Sequence, residues 1–97
     1  MQVVFRTRKL QRQYANSADA VRAYGRDIGR KYIQRIDQLL AAASEQDLYA
    51  LRSLRYHALT GDRGGQHAID LTGNVRLIVT TDRAKDTVTI ETVEDYH

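Results

Sequence analysis

The chain contains no cysteine. That excludes a disulfide framework, a thiolate nucleophile and any cysteine-ligated zinc or iron–sulfur site. It contains no proline either, so breaks between elements must come from Gly, Asn, Asp and Ser. No stretch approaches the roughly 20 apolar residues that a membrane helix needs. The opening MQVVFRTRKL has no long apolar run and no small-residue cleavage site, so a cytoplasmic protein without a secretory signal or membrane contact is expected. Internal repeats, low-complexity tracts and linkers are also missing. At 97 residues with 42% hydrophobic content, the expectation is one domain, residues 1–97, held by a single core without covalent staples.

Charge is present but unevenly spread. Residues 1–55 hold 11 basic residues against five acidic ones, and residues 56–97 hold four against seven, which gives +6 and −3. A basic half on a small domain suggests a polyanion or an acidic protein as partner, although on charge alone a solvated helical face is the simpler account.

Val3, Val4 and Phe5 read as an opening strand, and Arg8 to Tyr14 as a short helical turn. From about Ala18 to Ala43 the apolar positions Val21, Tyr24, Ile28, Tyr32, Ile36, Leu39, Leu40 and Ala43 recur at helical spacing, predicting one long helix. Asn16 or Ser17 supplies its N-cap. Arg22, Arg26 and Arg30 recur every four residues, which would set them as a ridge on one face. Gly25 and Gly29 weaken the helix but would allow close approach of another backbone. Ser44 and Asp47 resemble a capping box that opens a short helix over about 45–52.

From there the period switches to two. Candidate strands are 55–59, 66–71, 75–80 and 87–93, separated by polar or glycine-rich turns at 61–65, 72–74 and 81–86. Short connections imply antiparallel neighbours. The predicted class is α+β, with helices packed on one face of a curved antiparallel sheet. The other face would carry Arg76, Thr80 and their neighbours.

Three histidines are present, His57, His67 and His97, without the spacing of a metal site. The glycine-rich run 61–65 lacks the Lys-Ser/Thr of a phosphate loop and is explained as a hairpin turn. His67 is most simply the start of a strand. Arg76 lies mid-strand and, with Arg63, could hold a phosphate through bidentate hydrogen bonds. The last residues, Glu94-Asp95-Tyr96-His97, put a carboxylate, a phenol and an imidazole at the end of a near-central strand. Taken by itself, that ending is more simply a solubilising tail. Together, His, Arg and Tyr could cleave an RNA phosphodiester without a metal. A base takes the 2′-hydroxyl proton, a cation stabilises the phosphorane, and an acid protonates the leaving 5′-oxygen.

These segments resemble a known family. Residues 56–66, YHALTGDRGGQ, are similar to the LHPLKGDRKGQ segment of the HigB branch of RelE/ParE toxins. Residues 74–78, NVRLI, resemble that branch's NWRI or YRLIF strand, and the ending EDYH resembles its EDYH or VDYH terminus. The resemblance covers essentially the whole chain. It implies a RelE/ParE-like fold, with an N-terminal strand and helical hairpin packed on a mainly antiparallel sheet. It also implies a type II toxin: a ribosome-dependent, metal-independent mRNA endonuclease with no cofactor, which cuts in the A site of the small subunit. Its partner would be a HigA-like helix-turn-helix antitoxin, and operator DNA would be bound only through that antitoxin.

Carried over by position, His57 would be an active-site histidine and Arg76 a phosphate-binding arginine, with Asp95, Tyr96 and His97 as the catalytic terminus. Arg63 would bind substrate, and Arg22, Arg26 and Arg30 would contact ribosomal RNA or the antitoxin. Ala58 and Thr60 stand where the family often has Pro and Lys. Thr60 cannot supply the charge of that Lys. Two alternatives therefore stand beside the nuclease: a non-enzymatic gyrase inhibitor of the ParE kind, and an antitoxin-binding module with weakened catalysis.

Overall fold

The chain starts as a strand and is turned at once into helix by a side-chain cap. In the computed structural model, which describes residues 1–95, β1 (Gln2–Phe5) leads to α1 (Arg8–Ala15). Thr7 Oγ1 accepts a hydrogen bond from the Leu10 N–H at 3.2 Å, satisfying one of the otherwise open donors of the first turn. The predicted short turn is thus a helix of eight residues. Asn16 closes α1 and opens α2 (Ser17–Tyr24). Its N–H donates to the Arg12 carbonyl at 2.8 Å, and its Oδ1 accepts from Ala18 N–H at 3.0 Å.

The predicted long helix is interrupted. Gly25, with φ +85°, ends α2, and α3 (Arg26–Ala41) begins beyond it. Only glycine adopts that backbone without strain. The apolar spacing of three and four runs on through the break, so periodicity carries no mark of it. Arg22 therefore lies on α2 while Arg26 and Arg30 lie on α3, and they form no single helical ridge. The glycine spacing does permit close packing: a Cβ on Gly29 would lie 2.9 Å from the Ala20 carbonyl carbon. Two helix backbones meet there, and Ala20 is fully buried.

α4 (Glu45–Ala50) follows, then a 3-10 turn (Arg52–Leu54). The Ser44 side chain makes no cap bond, and Asp47 Oδ2 instead accepts from the Ala43 N–H at 2.9 Å. The helical layer thus has four helices where the sequence pattern implies three.

The remaining strands are β2 (His57–Ala58), β3 (Gln66–Thr72), β4 (Val75–Asp82) and β5 (Thr87–Asp95), with a 3-10 turn (Gly61–Arg63) between the first two. They form one sheet in the order β1-β5-β4-β3-β2. β1 runs parallel to β5, and every other pairing is antiparallel. β2 is shorter than predicted because Arg55 adopts a left-handed backbone, with φ +49°, which no strand accommodates. β4 and β5 run further than predicted, with a bulge between Ile78 and Val79.

The core lies between the helices and one sheet face. Tyr32, Ile36 and Leu39 of α3, Leu48 of α4 and Leu54 pack against Ile69, Leu71, Leu77, Val79, Val88 and Ile90. Two buried polar side chains find backbone partners there. Tyr32 donates its hydroxyl to the Leu10 carbonyl at 2.7 Å, and Arg35 Nε donates to the Asp70 carbonyl at 2.9 Å. None of the helices among the described residues is long and apolar enough to cross a membrane.

Candidate functional site

Strand alternation assigns the open face of the sheet. Leu77 and Val79 point into the core, so Arg76, Ile78 and Thr80 belong to the face away from the helices. Register extends this face across the strands. Asp70, Arg76 and Glu94 form one row, and His57, Ala68, Ile78 and Thr92 the next. The two central predicted residues, His57 and Arg76, therefore share a face although 19 positions separate them in the chain.

Arg63 reaches over the same face from the 3-10 turn. Its Nε donates to Gln66 Oε1 at 3.0 Å, and its two terminal nitrogens donate to the Glu94 carboxylate at 2.9 and 2.5 Å. Gln66 is on β3 and Glu94 on β5, so the guanidinium bridges across β4. This bidentate fork, with the charges of Arg63 and Arg76, holds the Glu94 carboxyl below the usual carboxylate range, against the opposing effect of burial. The arginine expected to grip a phosphate is thus already held by an internal carboxylate. Apart from its place in the EDYH ending, nothing in the sequence singles out Glu94.

His57 is exposed, and its Nδ1 lies 2.6 Å from the Arg55 carbonyl oxygen. A carbonyl only accepts, so Nδ1 carries the hydrogen. In the neutral ring Nε2 is then the basic nitrogen, which is the form a proton acceptor needs. The left-handed turn at Arg55 aims that carbonyl, and the Arg55 guanidinium is tied to Asp70 at 3.3 Å.

The other predicted residues are placed differently. Asp95 pairs with Val75, which packs into the core, so its strand position belongs to the helix side and not to the face of Arg76. Tyr96 and His97 lie outside the described residues. Arg22, Arg26 and Arg30 border one concavity with Ser17, Ala18 and Val21 in the helical layer, so the break at Gly25 leaves them neighbours. Arg22 also borders a second concavity with Lys9 and Arg12. Arg22 pairs with Asp19 at 3.1 Å, and among the described residues Arg26 and Arg30 form no ion pair.

A second polar cluster lies on the helix side of the sheet. Tyr56, 6% exposed, donates to Glu45 Oε2 at 2.8 Å and shares a 2.7 Å hydrogen bond with Thr81 Oγ1. Its ring stacks on His67 with centroids 4.6 Å apart, and Tyr49 meets it edge-on. The Tyr49 hydroxyl is 3.1 Å from His67 Nε2, while Arg83 Nε donates to Glu45 at 2.5 Å. Burial pushes Tyr56 up and His67 down. Burial also raises Glu45, but the hydrogen bonds from Tyr56 and Arg83 outweigh it and hold the carboxyl below its ordinary range. His67 is therefore more than a strand start. Its alternation onto the inward face shared with Ile69 is the one available signal. Among the described residues, no group of three or more His, Asp or Glu side chains could hold a metal ion.

No protein-family profile matches the sequence, and no curated protein matches it significantly. Solved structures do match in fold. A YoeB/ParE toxin from Agrobacterium tumefaciens superposes with a TM-score of 0.59 at 12% identity, covering 100% of both chains. The YoeB dimer from Staphylococcus aureus gives 0.56 at 15% identity, covering 100% of this chain and 97% of that one. A YoeB–YefM complex from the same organism gives 0.55, with the same identity and coverage. At such identities the likeness establishes the fold: α+β, of the kind found in YoeB and YoeB/ParE toxins.

Proposed function

We propose that the chain, acting as one domain, is the toxin of a type II toxin–antitoxin system: a HigB-like, ribosome-dependent, metal-independent mRNA endonuclease. The observation that carries this reading is His57, whose Nδ1–H is committed to the Arg55 carbonyl, on the sheet face that also bears Arg76. The fold shared with YoeB-type toxins supports it.

In the reaction, His57 Nε2 takes the proton from a ribose 2′-hydroxyl. The 2′-oxygen attacks phosphorus, and the bond to the 5′-oxygen breaks, leaving a 2′,3′-cyclic phosphate. Arg76 faces the developing charge on the phosphorane, where fixed cations are worth most. Arg63 joins it by exchanging Glu94 for a phosphate oxygen. The terminal Tyr96 or His97 protonates the 5′-oxygen, with Asp95 as their neighbour. Arg22, Arg26 and Arg30 offer a separate cationic surface to ribosomal RNA. A HigA-like helix-turn-helix antitoxin would neutralise the toxin in the cytoplasm and bring it to operator DNA. The complex of S. aureus YoeB with YefM is a precedent in this fold for a bound partner.

The Arg63–Glu94 fork and the uncharged Thr60 favour a second reading, an antitoxin-binding module with weakened catalysis. Expression without the antitoxin tests the pair: growth arrest with cleaved mRNA supports the nuclease, and normal growth supports the module. A DNA supercoiling assay separates both from a ParE-like gyrase inhibitor, because a nuclease leaves gyrase unaffected.

A further inference from the structure

β2 is an edge strand of two residues, and it must hold His57 still. Its ladder consists of His57 opposite Ala68 and Ala58 opposite His67, extended by one bond from Leu59 N–H to the Gln66 carbonyl at 2.9 Å. That is little restraint for a group that has to present one nitrogen to a substrate. On its N-terminal side the strand is preceded by a left-handed, non-glycine residue, Arg55. A backbone of that kind persists only where its surroundings over-determine it.

The surroundings are supplied from beneath the sheet by Tyr56. Alternation sends Tyr56 inward as it sends His57 outward. The phenol is fixed at both ends of its hydrogen-bonding capacity, by Glu45 of α4 at 2.8 Å and by Thr81 of β4 at 2.7 Å. Its ring lies flat on His67, with planes 7° apart, and His67 is itself the ladder partner of Ala58. Arg83 holds the other Glu45 oxygen, so the carboxylate that receives the phenol is itself pinned. Three separate elements thus converge on the residue between Arg55 and His57.

We infer that Tyr56 is a positioning residue: its anchorage to Glu45 and Thr81 holds the Arg55 carbonyl against His57 Nδ1 and so keeps Nε2 as the bare, outward nitrogen. This rests on the proposed role of His57 for its catalytic meaning, but the tautomer is a property of the folded chain alone.

The test is long-range ¹H–¹⁵N correlation of the histidine rings in the labelled full chain at a pH where the imidazoles are neutral, for wild type and Tyr56→Phe. Wild type is expected to show His57 with a protonated Nδ1 and a bare Nε2. Tyr56→Phe keeps the ring stacked on His67 but loses both phenol bonds, and His57 is expected to become a mixture of tautomers. Its mRNA cleavage rate on saturating ribosomes would fall about tenfold with half-saturation unchanged, short of the 10²–10⁴ that a general base supplies outright. Should Tyr56→Phe not fold, Thr81→Val removes one phenol partner and leaves the other, and a partial tautomer shift is expected. A wild-type His57 protonated at Nε2 overturns the inference. So does an unchanged tautomer in the folded variant. If the tautomer behaves as expected but wild type cuts no RNA, the nuclease reading fails and the placement of His57 stands.

Discussion

Burial sets the His67 imidazole apart from a solvent-exposed one. It lowers the group's affinity for a proton, Glu45 opposes that, and the charges of Arg83 and His57 add to it. Its Nδ1 is buried with no hydrogen-bond partner among the described residues, so nothing there receives a second N–H. The unfolded chain takes up a proton on this ring near the ordinary value of 6.5, while the folded chain does so only at lower pH. The stability this group contributes is complete above that value and is lost as the pH falls below it. Glu45 and Glu94, both held below the ordinary carboxylate range, act in the same direction further down. Their contribution is complete above about pH 4.5 and is lost as the pH falls through their folded values. Thermal melts should therefore be flat between about pH 7 and 9, decline from about pH 6.5 downward, and fall more steeply below about pH 4.5. His67→Phe keeps the ring against Tyr56 and abolishes this titration, so its curve should be flatter between about pH 6.5 and 5. Identical slopes in the two proteins would show that His67 is not the group responsible.

Helices and strands are legible where a local rule decides them. The switch from a helical period to alternation places β3, β4 and β5, and Asn16 is readable as a cap because its side chain and its position both fit that role. Two breaks are not legible. The apolar stripe from Val21 to Tyr32 keeps helical spacing across Gly25, and Arg55 carries no residue-type signal for a left-handed backbone. Gly29 tests the helical layer most simply. In Gly29→Ala the new methyl would meet the Ala20 backbone at 2.9 Å, which cannot rotate away as a side chain can. The variant should lose about 1–3 kcal/mol in denaturant melts, although alanine is the better helix former by about 1 kcal/mol. A variant as stable as wild type would mean that α2 and α3 separate freely.

The molecule as a whole offers two chemically different surfaces, and the sequence exposes one of them better than the other. Alternation alone puts Arg76 on the open face, and register then adds His57. The pairs that finish each cluster, Arg63 with Glu94 and Arg83 with Glu45, join residues 31 and 38 positions apart and have no local signature. The helical surface of Arg22, Arg26 and Arg30 lies in a different layer from that face. It should govern affinity and leave chemistry alone. In the triple variant to Ala, ribosome binding should weaken, and the slope of log affinity against log salt should become shallower by about 0.7–0.9 for each phosphate no longer neutralised. The cleavage rate at saturating ribosomes should remain. An unchanged salt slope would assign these arginines to solvation or to the antitoxin.

The central claim is that His57, held on the open sheet face, is the base for RNA cleavage. Primer-extension mapping of a translated mRNA in a purified translation system, with wild type and folded His57→Ala, tests it directly. The account predicts cuts within A-site codons that require both ribosomes and wild-type protein, with His57→Ala slower by about 10²–10⁴. Equal cutting by the two proteins would contradict it, as would the absence of any cuts with wild-type protein.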